Sequence, residues 1–369
     1  MSDSGLVFIG TYSEKILFGT GQVLQGKGKG IHVFRFDART GALKPVGIKE
    51  GVRNPSYIAF DPNRRFLYCV NEFKEFEGKA SGAVSAFRID PATGGLDFLN
   101  TKASHGTDPC HLMVDRTGRN VLIANFASGS VCVLPIAADG SLRDASELIQ
   151  HAGSSIDPRR QTGPHAHAVE IDAANRFVFV PELGLDKVMI YGLDATRGKL
   201  TPNPNQASIA VAPGAGPRQL VMHPNGRFAY LINELNSTMT AYAYDADRGA
   251  LRELQTLPTL PPDFTGTSSC AEVQIHPTGR FLYGSNRGHD SLAIYAIDPA
   301  SGLLTALGHH STGGRIPRNF AVNSTGEYVI AANQDSDSII VFRIDAATGL
   351  LQATGHAVEV GTPVCARFF

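Results

Sequence analysis

Short runs in which apolar and polar residues alternate, each followed by a turn motif, recur along almost the whole chain. The alternation is visible in IHVFRFD (31–37) and IIVFRID (339–345), and it is typical of strands with one buried face. Few stretches keep apolar residues at helical spacing for more than two turns. The pattern therefore predicts an all-β chain.

The runs belong to a unit that repeats about every fifty residues. A turn of the type Asp/His/Asn-x-x-Gly/Asn/Arg, followed by an apolar run that usually ends in Asn, occurs in six copies: 60–72, 114–126, 171–183, 222–235, 275–288 and 322–335. A second turn, Asp followed by Gly between apolar runs, occurs in seven copies: 36–43, 89–96, 137–142, 193–200, 244–251, 297–304 and 344–351. Each unit offers about four strands, which indicates a β-propeller. Solenoid repeats are shorter, and a tandem of sandwiches would show linkers.

The number of blades follows from the segments that precede the first type of turn. Seven such segments begin at Pro55, Pro109, Pro164, Pro217, about Cys270, Pro317 and Pro363. The last one, TPVCARFF (362–369), ends the chain, and GLVFIGTY (5–12) supplies the strand that it lacks. We therefore predict a single seven-bladed β-propeller domain over residues 1–369. Its ring is closed by the C-terminal inner strand pairing with the N-terminal strands, which leaves no exposed sheet edge.

Charge and cysteine content narrow the class of protein. The chain has 33 basic and 34 acidic residues, a net charge of −1 and no long basic run, which argues against nucleic acid or an anionic membrane as partner. Its 5 cysteines are widely spaced without a CxxC pair, so a disulfide framework or a zinc ribbon is not expected. The N-terminal residues lack a basic leader, and no apolar run nears the roughly 18 residues needed to span a bilayer. We expect a cytoplasmic protein with reduced thiols.

Antiparallel pairing places the start of each inner strand beside the end of the second strand, at one mouth of the central channel. The residues in register at these two positions form an unusual charged set for a chain with 18% charged residues: His167, Arg218, Arg318, Glu72, Glu182, Glu234, Arg287 and Gln334. We expect a site here. A ring of ion pairs that merely ties the blades together is the alternative, although such pairs also preorganise sites.

Histidine beside arginine and glutamate suits proton transfer near neutral pH. His167 lies in the register of the mouth, His165 two residues earlier is the weaker candidate, and His289 could flank the mouth. The motifs GxSxG, GxxxxGK[ST] and HExxH are absent from the sequence, so an attacking water or an internal proton shift is favoured over a serine acyl-enzyme. No spacing of metal ligands supports a metal site, and no cofactor is expected.

At these residues the sequence resembles the seven-bladed lactonase family, which includes the propeller-type 6-phosphogluconolactonase of bacteria and the fungal carboxy-cis,cis-muconate cyclase. The resemblance spans almost the whole chain and is carried by the stretches FIGTYS (8–13), GPHAHAV (163–169), PELGLDKVMIY (181–191), GPRQLVMHPNGRFAYLINEL (216–235), SSCAEVQIHPTGRFLYGSNRGHDSLAIY (268–295) and IPRNFAVNSTGEYVIAANQDSDSIIVF (316–342). The resemblance implies a catalytic set of His167, Arg218, Glu234 and Arg287.

Two departures from the family pattern stand out. The family usually has Asp in the stretch that reads PELG here, so Glu182 is expected to reach further into the channel. Residues 15–29 (KILFGTGQVLQGKGK) are an insertion in the first blade. We expect them to form either a loop that overhangs the mouth and tunes the choice of substrate or a surface excursion without such a role.

The leading hypothesis is a lactonase of carbohydrate metabolism that hydrolyses an anionic sugar lactone. Arg218 and Arg287 would hold the anion and the oxyanion, and Glu234 or His167 would activate water. Glu72, Glu182, Arg318, Gln334, His165 and His289 would contact the substrate. The alternatives are cycloisomerisation of a carboxymuconate-type acid by the same residues and a propeller that only scaffolds partner proteins. We expect a monomer or a small homo-oligomer.

Overall fold

The computed structural model describes residues 4–369, which form seven sheets of four main strands arranged around a central channel. Every strand pair within these sheets is antiparallel, and the innermost strands of most neighbouring sheets contact each other along the channel. The prediction of a seven-bladed β-propeller is confirmed. Blades are numbered below from the one that contains both chain termini.

Blades 1 to 4 fill the first half of the ring, and their strands are given from the channel outward. Blade 1 has strands Pro363–Phe368, Ser4–Thr11, Gly30–Asp37 and Leu43–Glu50. Blade 2 has strands Ile58–Phe60, Phe66–Asn71, Ala83–Ile89 and Leu96–Ala103. Blade 3 has strands Pro109–Val114, Asn120–Asn125, Ser130–Pro135 and Glu147–Gln150. Blade 4 has strands Glu170–Ile171, Phe177–Glu182, Lys187–Asp194 and Lys199–Pro202, with Ser208–Ala210 also paired to the third.

Blades 5 to 7 complete the ring in the same order. Blade 5 has strands Pro217–Met222, Phe228–Asn233, Thr238–Asp245 and Ala250–Pro258. Blade 6 has strands Ser269–Ile275, Phe281–Arg287, Ser291–Ile297 and Leu304–Ser311. Blade 7 has strands Pro317–Val322, Tyr328–Asn333, Ser338–Ile344 and Leu351–Glu359. The remaining elements are two short hairpins and two 3-10 helices: Lys15–Leu17 with Val23–Gln25, Glu75–Phe76 with Lys79–Ala80, Leu183–Leu185 and Gln334–Ser336.

The ring closes as predicted, because the last strand of the chain is the inner strand of blade 1. It pairs antiparallel with the N-terminal strand, with Gly10 opposite Cys365 and Val7 opposite Phe368. The N-terminal strand in turn pairs with the third strand, with Ile9 opposite His32. The two ends of the chain therefore hold the same sheet together.

The hydrophobic core lies between the blades rather than within one central mass. Seven clusters of buried apolar side chains each join two neighbouring blades, so that together they run around the whole ring. Representative fully buried members are Ile330, Phe8, Tyr68, Val178, Leu231, Tyr295 and Phe320. This packing holds the inner strands at fixed positions around the channel.

The turns between the first and second strands lie at the end of the blades away from the predicted site. Their first side chain accepts backbone hydrogen bonds, as when Asp61 Oδ1 accepts from the N–H groups of Arg65 and Phe66 at 2.6 Å each. Where this residue is His, its Nε2 lies 2.9 Å (His223 to Gly279 O) or 2.8 Å (His276 to Gly326 O) from a carbonyl of the next blade's turn. These histidines tie neighbouring blades together.

The insertion in blade 1 carries the first of the two short hairpins. Ile16 packs with Tyr12 and Val364, and Phe18 and Leu24 cover this small cluster, so the hairpin is anchored beside the inner strand of blade 1. That residues 1–369 form one domain stays a prediction, since residues 1–3 lie outside those that the structure describes.

Candidate active site

Local irregularities of the inner strands bring charged side chains to one end of the channel. The pairing of the inner and second strands is interrupted by a bulge in blades 1, 3, 5, 6 and 7, immediately after the first residues of the inner strand. A bulge adds an unpaired residue to one strand and changes the direction in which its side chain points. In this way Cys110, Arg218 and Arg318 come to line a cleft at the mouth.

The cleft has a volume of about 510 Å³. The residues that directly follow the second strands of blades 2 and 5, Glu72 and Glu234, form part of its wall, as does Arg287 at the end of the second strand of blade 6. The structure brings together seven of the predicted site residues in this cleft: His167, Arg218, Glu234, Arg287, Glu72, Arg318 and Gln334.

Glu234 is the centre of the larger charged cluster. Its Oε1 lies 2.7 Å from Nη2 of Arg160, and its Oε2 lies 2.5 Å from Nη1 of Arg218 and 3.1 Å from Nη2 of Arg287. The side chain is only 4% exposed. Three guanidinium groups thus surround one buried carboxylate, which leaves a local excess of positive charge.

The surroundings set the protonation states of this cluster. Burial acts to raise the pKa of Glu234, but the charges of Arg287, Arg218 and Arg160 outweigh it and hold the pKa well below the ordinary range. Burial lowers the pKa of Arg287 to about 9 against the opposing charge of Glu234. Glu234 is therefore a firmly ionised carboxylate at neutral pH, and its lone pairs are engaged by arginine donors.

His167 lies against the same cluster. Its Nε2 contacts Nη1 of Arg218 and lies 3.8 Å from Oε2 of Glu234, while its Nδ1 lies 3.7 Å from Sγ of Cys110. Burial and the charge of Arg218 lower the pKa of His167 well below its usual value. Burial raises the pKa of Cys110 well above its usual value. The imidazole is therefore neutral and the cysteine is a thiol near pH 7.

Glu72 and Arg318 form another part of the cleft wall. The hydroxyl of Tyr12 donates to the carboxylate of Glu72, with its oxygen 3.1 Å from Oε1 and 3.0 Å from Oε2. The guanidinium of Arg318 lies over the rings of Tyr12 and Phe18, at 5.4 and 5.2 Å from their centroids. In the part of the chain that the structure describes, no hydrogen bond from Arg318 to an acceptor is found, so its donors are available to a ligand.

Two further polar atoms of the cleft lack partners. Nε2 of Gln334 donates to Asp335 at 2.8 Å, whereas its Oε1 is buried without a hydrogen bond among residues 4–369. Nε of Arg287 is likewise buried without a hydrogen-bond partner among these residues. Buried polar atoms are rarely left unpaired in native proteins, so both atoms mark places where a bound molecule can complete the network.

The structure corrects the expectation for Glu182, which does not line the cleft. Its carboxylate is fully buried, with Oε2 2.5 Å from Nδ1 of His151 and Oε1 accepting from the backbone N–H of His165. Glu182 pairs with Lys187 as Asn233 pairs with Thr238 in blade 5. Leu183, not Glu182, therefore matches the position of Glu234, and a shift of one residue turns a side chain to the other face.

His165 and His289 also lie outside the wall of the cleft. His165 stacks on Phe126 with 4.7 Å between ring centroids, and its Nδ1 lies 3.0 Å from the carbonyl oxygen of Phe126. His289 contacts Phe264 edge-on, and its Nδ1 lies 2.6 Å from Oγ of Ser291. Each ring is held by a neighbouring aromatic side chain, and contact of either histidine with a substrate stays a prediction.

The structure adds cleft residues that the repeat register did not identify. Arg160 comes from the long connection between the last strand of blade 3 and the inner strand of blade 4. Leu17 and Phe18 come from the hairpin of the insertion. Tyr12, which follows the N-terminal strand, is buried and acts on the cleft through its hydrogen bond to Glu72. The unusual length of the segment from Gln150 to Glu170 was the available signal, since it lies outside the repeat.

Among residues 4–369, no group of three or more His, Cys, Asp or Glu side chains is arranged to hold a metal ion. Within the same range, no helix is long and apolar enough to cross a membrane.

Comparison with known proteins adds a family to this geometry. The model of a family described as lactonase, 7-bladed β-propeller, matches residues 6–368. The 6-phosphogluconolactonase of Bacillus subtilis is 34% identical over 313 residues, which are 85% of this chain and 83% of that protein. The 6-phosphogluconolactonase of Formosa agariphila is 31% identical over 326 residues, 86% of each chain. The structure of a periplasmic gluconolactonase from Pseudomonas aeruginosa superimposes with a TM-score of 0.90 at 35% identity, covering 99% of both chains.

Proposed function

The chain belongs to the seven-bladed β-propeller lactonase family, and we propose that this lactonase hydrolyses a sugar lactone that carries an anionic group. Relatives named 6-phosphogluconolactonase act on such a compound according to their names. The observation that carries the proposal is the cleft itself, in which Arg160, Arg218 and Arg287 surround one carboxylate while Arg318 donates to no acceptor among residues 4–369.

The cluster around Glu234 is suited to stabilise the negative charge that develops on the lactone carbonyl oxygen. Donors that are already held in place cost no reorganisation when the charge appears. The carboxylate of Glu234 fixes the guanidinium groups of Arg218 and Arg287, and Arg218 is further held by its Nε, which donates to Ala271 O at 2.9 Å. The neutral His167 lies beside them. These four residues are our proposed catalytic cluster.

The anionic group of the substrate is proposed to bind at the part of the cleft wall that carries Arg318. Arg318 presents a guanidinium that has no acceptor in the described part of the chain, and planar guanidinium groups pair well with phosphate or carboxylate. The side chain of Gln334 supplies a neighbouring polar contact through the buried Oε1 that has no partner among the described residues. This arrangement puts the anion and the reacting carbonyl at different parts of one cleft.

The test is a panel of lactones and muconates with acid release followed in a pH-stat, run on wild type and on His167→Ala and Arg287→Ala. We expect turnover of an anionic sugar lactone, reduced by at least about a hundredfold in each variant. A matched control is His223→Ala, since that imidazole joins two turns at the other end of the blades.

The outcomes separate the candidate functions. Turnover of a muconate without turnover of any lactone favours the cycloisomerase, since both reactions can use the same cluster. No turnover of either class contradicts an enzymatic role and favours an interaction scaffold. Full activity of both cluster variants contradicts the proposed site.

We also propose a cytoplasmic location and a monomer or small homo-oligomer. The five cysteines are buried and free, as expected in a reducing compartment. The similar Pseudomonas aeruginosa protein is described as periplasmic, so cell fractionation decides the location. Light scattering at several concentrations measures the oligomeric state.

A further inference from the structure

We propose that Glu72 is the general base and general acid of the lactonase reaction. It takes a proton from the attacking water and returns it to the ring oxygen that leaves. The proposal rests on the lactone hydrolysis proposed above and assigns a step that the cluster around Glu234 is poorly suited to perform.

The groups expected to activate water are engaged elsewhere. Both oxygens of Glu234 contact arginine donors at 2.5 to 3.1 Å, so the carboxylate is too well stabilised to be an effective base. His167 is neutral, and its Nε2 contacts the guanidinium of Arg218. In that arrangement the accepting nitrogen faces a donor and the other nitrogen carries the proton. His167 therefore has no free lone pair for a water molecule, and the three guanidinium contacts make Glu234 a weak base.

Glu72 lies where a base is needed. It lines the mouth cleft, and it also lines a smaller cavity of about 20 Å³ directly inside the channel. That volume is enough for one water molecule with polar neighbours. His167, Arg218 and Arg318 line both spaces with it, so a water beside Glu72 lies within the same polar enclosure as the oxyanion donors.

The carboxyl group is buried but not neutralised by an ion pair. The hydroxyl of Tyr12 donates to the carboxylate, and a hydrogen bond from Ser56 also acts to lower its pKa. The charged and titratable groups that face it from the surrounding strands and loops are Arg318, Asp108 with its partner Lys74 at 3.6 Å, Tyr12 and Cys110. Burial raises the pKa of Glu72 to about 7, with the charge of Arg318 opposing this rise. A base with such a pKa exchanges protons readily near neutral pH.

The proposed step balances without a further reactant. The water oxygen bonds to the lactone carbonyl carbon while one water proton passes to the carboxylate of Glu72. The carbonyl electron pair moves to the oxyanion held by the arginine cluster. When the pair returns, the ring C–O bond breaks and the ring oxygen takes the proton from Glu72. The product is the open hydroxy acid, and Glu72 is again a carboxylate.

The experiment compares pH profiles of wild type, Glu72→Gln and the control Glu170→Gln, with the uncatalysed rate subtracted. Glu170 is a matched control because burial raises its pKa to about 8, yet it lies toward the opposite opening of the channel. We expect kcat/KM of wild type to rise with pH through about 7. Glu72→Gln should lose about 10²- to 10⁴-fold in kcat and this pH dependence, with little change in KM. Glu170→Gln should keep both.

A second variant and a spectroscopic measurement cover the possibility that Glu72→Gln folds poorly. Tyr12→Phe removes a donor that stabilises the carboxylate, so the pH dependence should shift to higher pH. Infrared difference spectra between wild type and Glu72→Gln should show a protonated carboxyl band that disappears through about pH 7, whereas the band of Glu170, with a pKa of about 8, is common to both and cancels. If folded Glu72→Gln keeps the turnover and the pH profile of wild type, this inference is overturned and the proposed function stands. If the wild-type protein itself hydrolyses no lactone, the proposed function is overturned.

Discussion

Glu72 and Glu234 occupy the same position of the repeat, directly after the second strand of blades 2 and 5, and both are buried. Their surroundings are nevertheless opposite. Glu234 contacts three guanidinium groups, which hold its pKa well below the ordinary range. Glu72 receives a phenol hydroxyl, and burial raises its pKa to about 7. The position brings a carboxyl group to the mouth, but the neighbouring blades decide whether it is a fixed charge or an exchangeable proton.

The largest effect should come from removing the fixed charge. Glu234→Gln leaves three buried guanidinium groups without their common carboxylate, so the free energy of unfolding should fall by about 3–5 kcal/mol near pH 7. The folded-state pKa of Glu234 is depressed, so its contribution is complete above the unfolded pKa of about 4.3 and is lost in stronger acid. Urea unfolding at pH 7 and pH 3.5 measures this, and the gap to wild type should narrow in acid. A gap that grows in acid contradicts the assigned charge state.

Removing the exchangeable carboxyl group of Glu72 should change the free energy of unfolding by less, and in the opposite direction. The pKa of Glu72 is raised in the folded state, so ionisation of Glu72 lowers wild-type stability as pH rises from about 4.3 towards 7. Glu72→Gln does not titrate. Its stability relative to wild type should therefore increase by about 1–3 kcal/mol between pH 5 and pH 8. A difference that stays constant over this range shows that Glu72 is ionised normally.

The wall that carries Glu72 should also control recognition of the anion. Arg318→Met removes the guanidinium that has no acceptor within residues 4–369. KM for an anionic lactone should therefore rise by about tenfold, the equivalent of about 1.4 kcal/mol, while KM for an uncharged lactone changes less. Arg280→Met is the matched control. The guanidinium of Arg280 lies 5.1 Å from the ring centroid of Phe281, and Arg280 does not line the cleft. Equal changes for both substrates contradict an anion-binding role.

The smallest effect is expected at the hairpin of the insertion. Phe18→Ala removes one of the two rings under Arg318, and a cation–π contact is worth about 0.5–1 kcal/mol. KM for the anionic lactone should rise by about two- to fivefold. Val23→Ala on the same hairpin is the control, since Val23 is 52% exposed and does not line the cleft. An unchanged KM in Phe18→Ala leaves the insertion without a role in substrate choice.

The sequence predicted which residues meet at the cleft wherever the repeat register was unbroken. His167, Arg218, Arg318, Glu234 and Arg287 all line the cleft, because strand pairing fixes which residues meet at one end of a blade. The register failed at Glu182 because the segment 181–183 (PEL) occupies the positions that 232–234 (INE) occupy in blade 5. The carboxylate therefore stands one residue earlier in the strand and contacts His151. The register could not place Arg160, which comes from a connection outside the repeat.

By itself, the sequence determined the seven blades, the closure by the two ends of the chain and the mouth at which polar residues gather. These features depend on local turns and alternation, which repeat in every unit. Only the tertiary structure decided the chemistry of each group at that mouth. Whether Glu234 or Glu72 holds its proton depends on burial and on charges from other blades and loops, such as Arg160 and Tyr12, that lie far apart in the chain. Electrostatic energy follows distance in space, which the spacing of residues along the chain does not reveal.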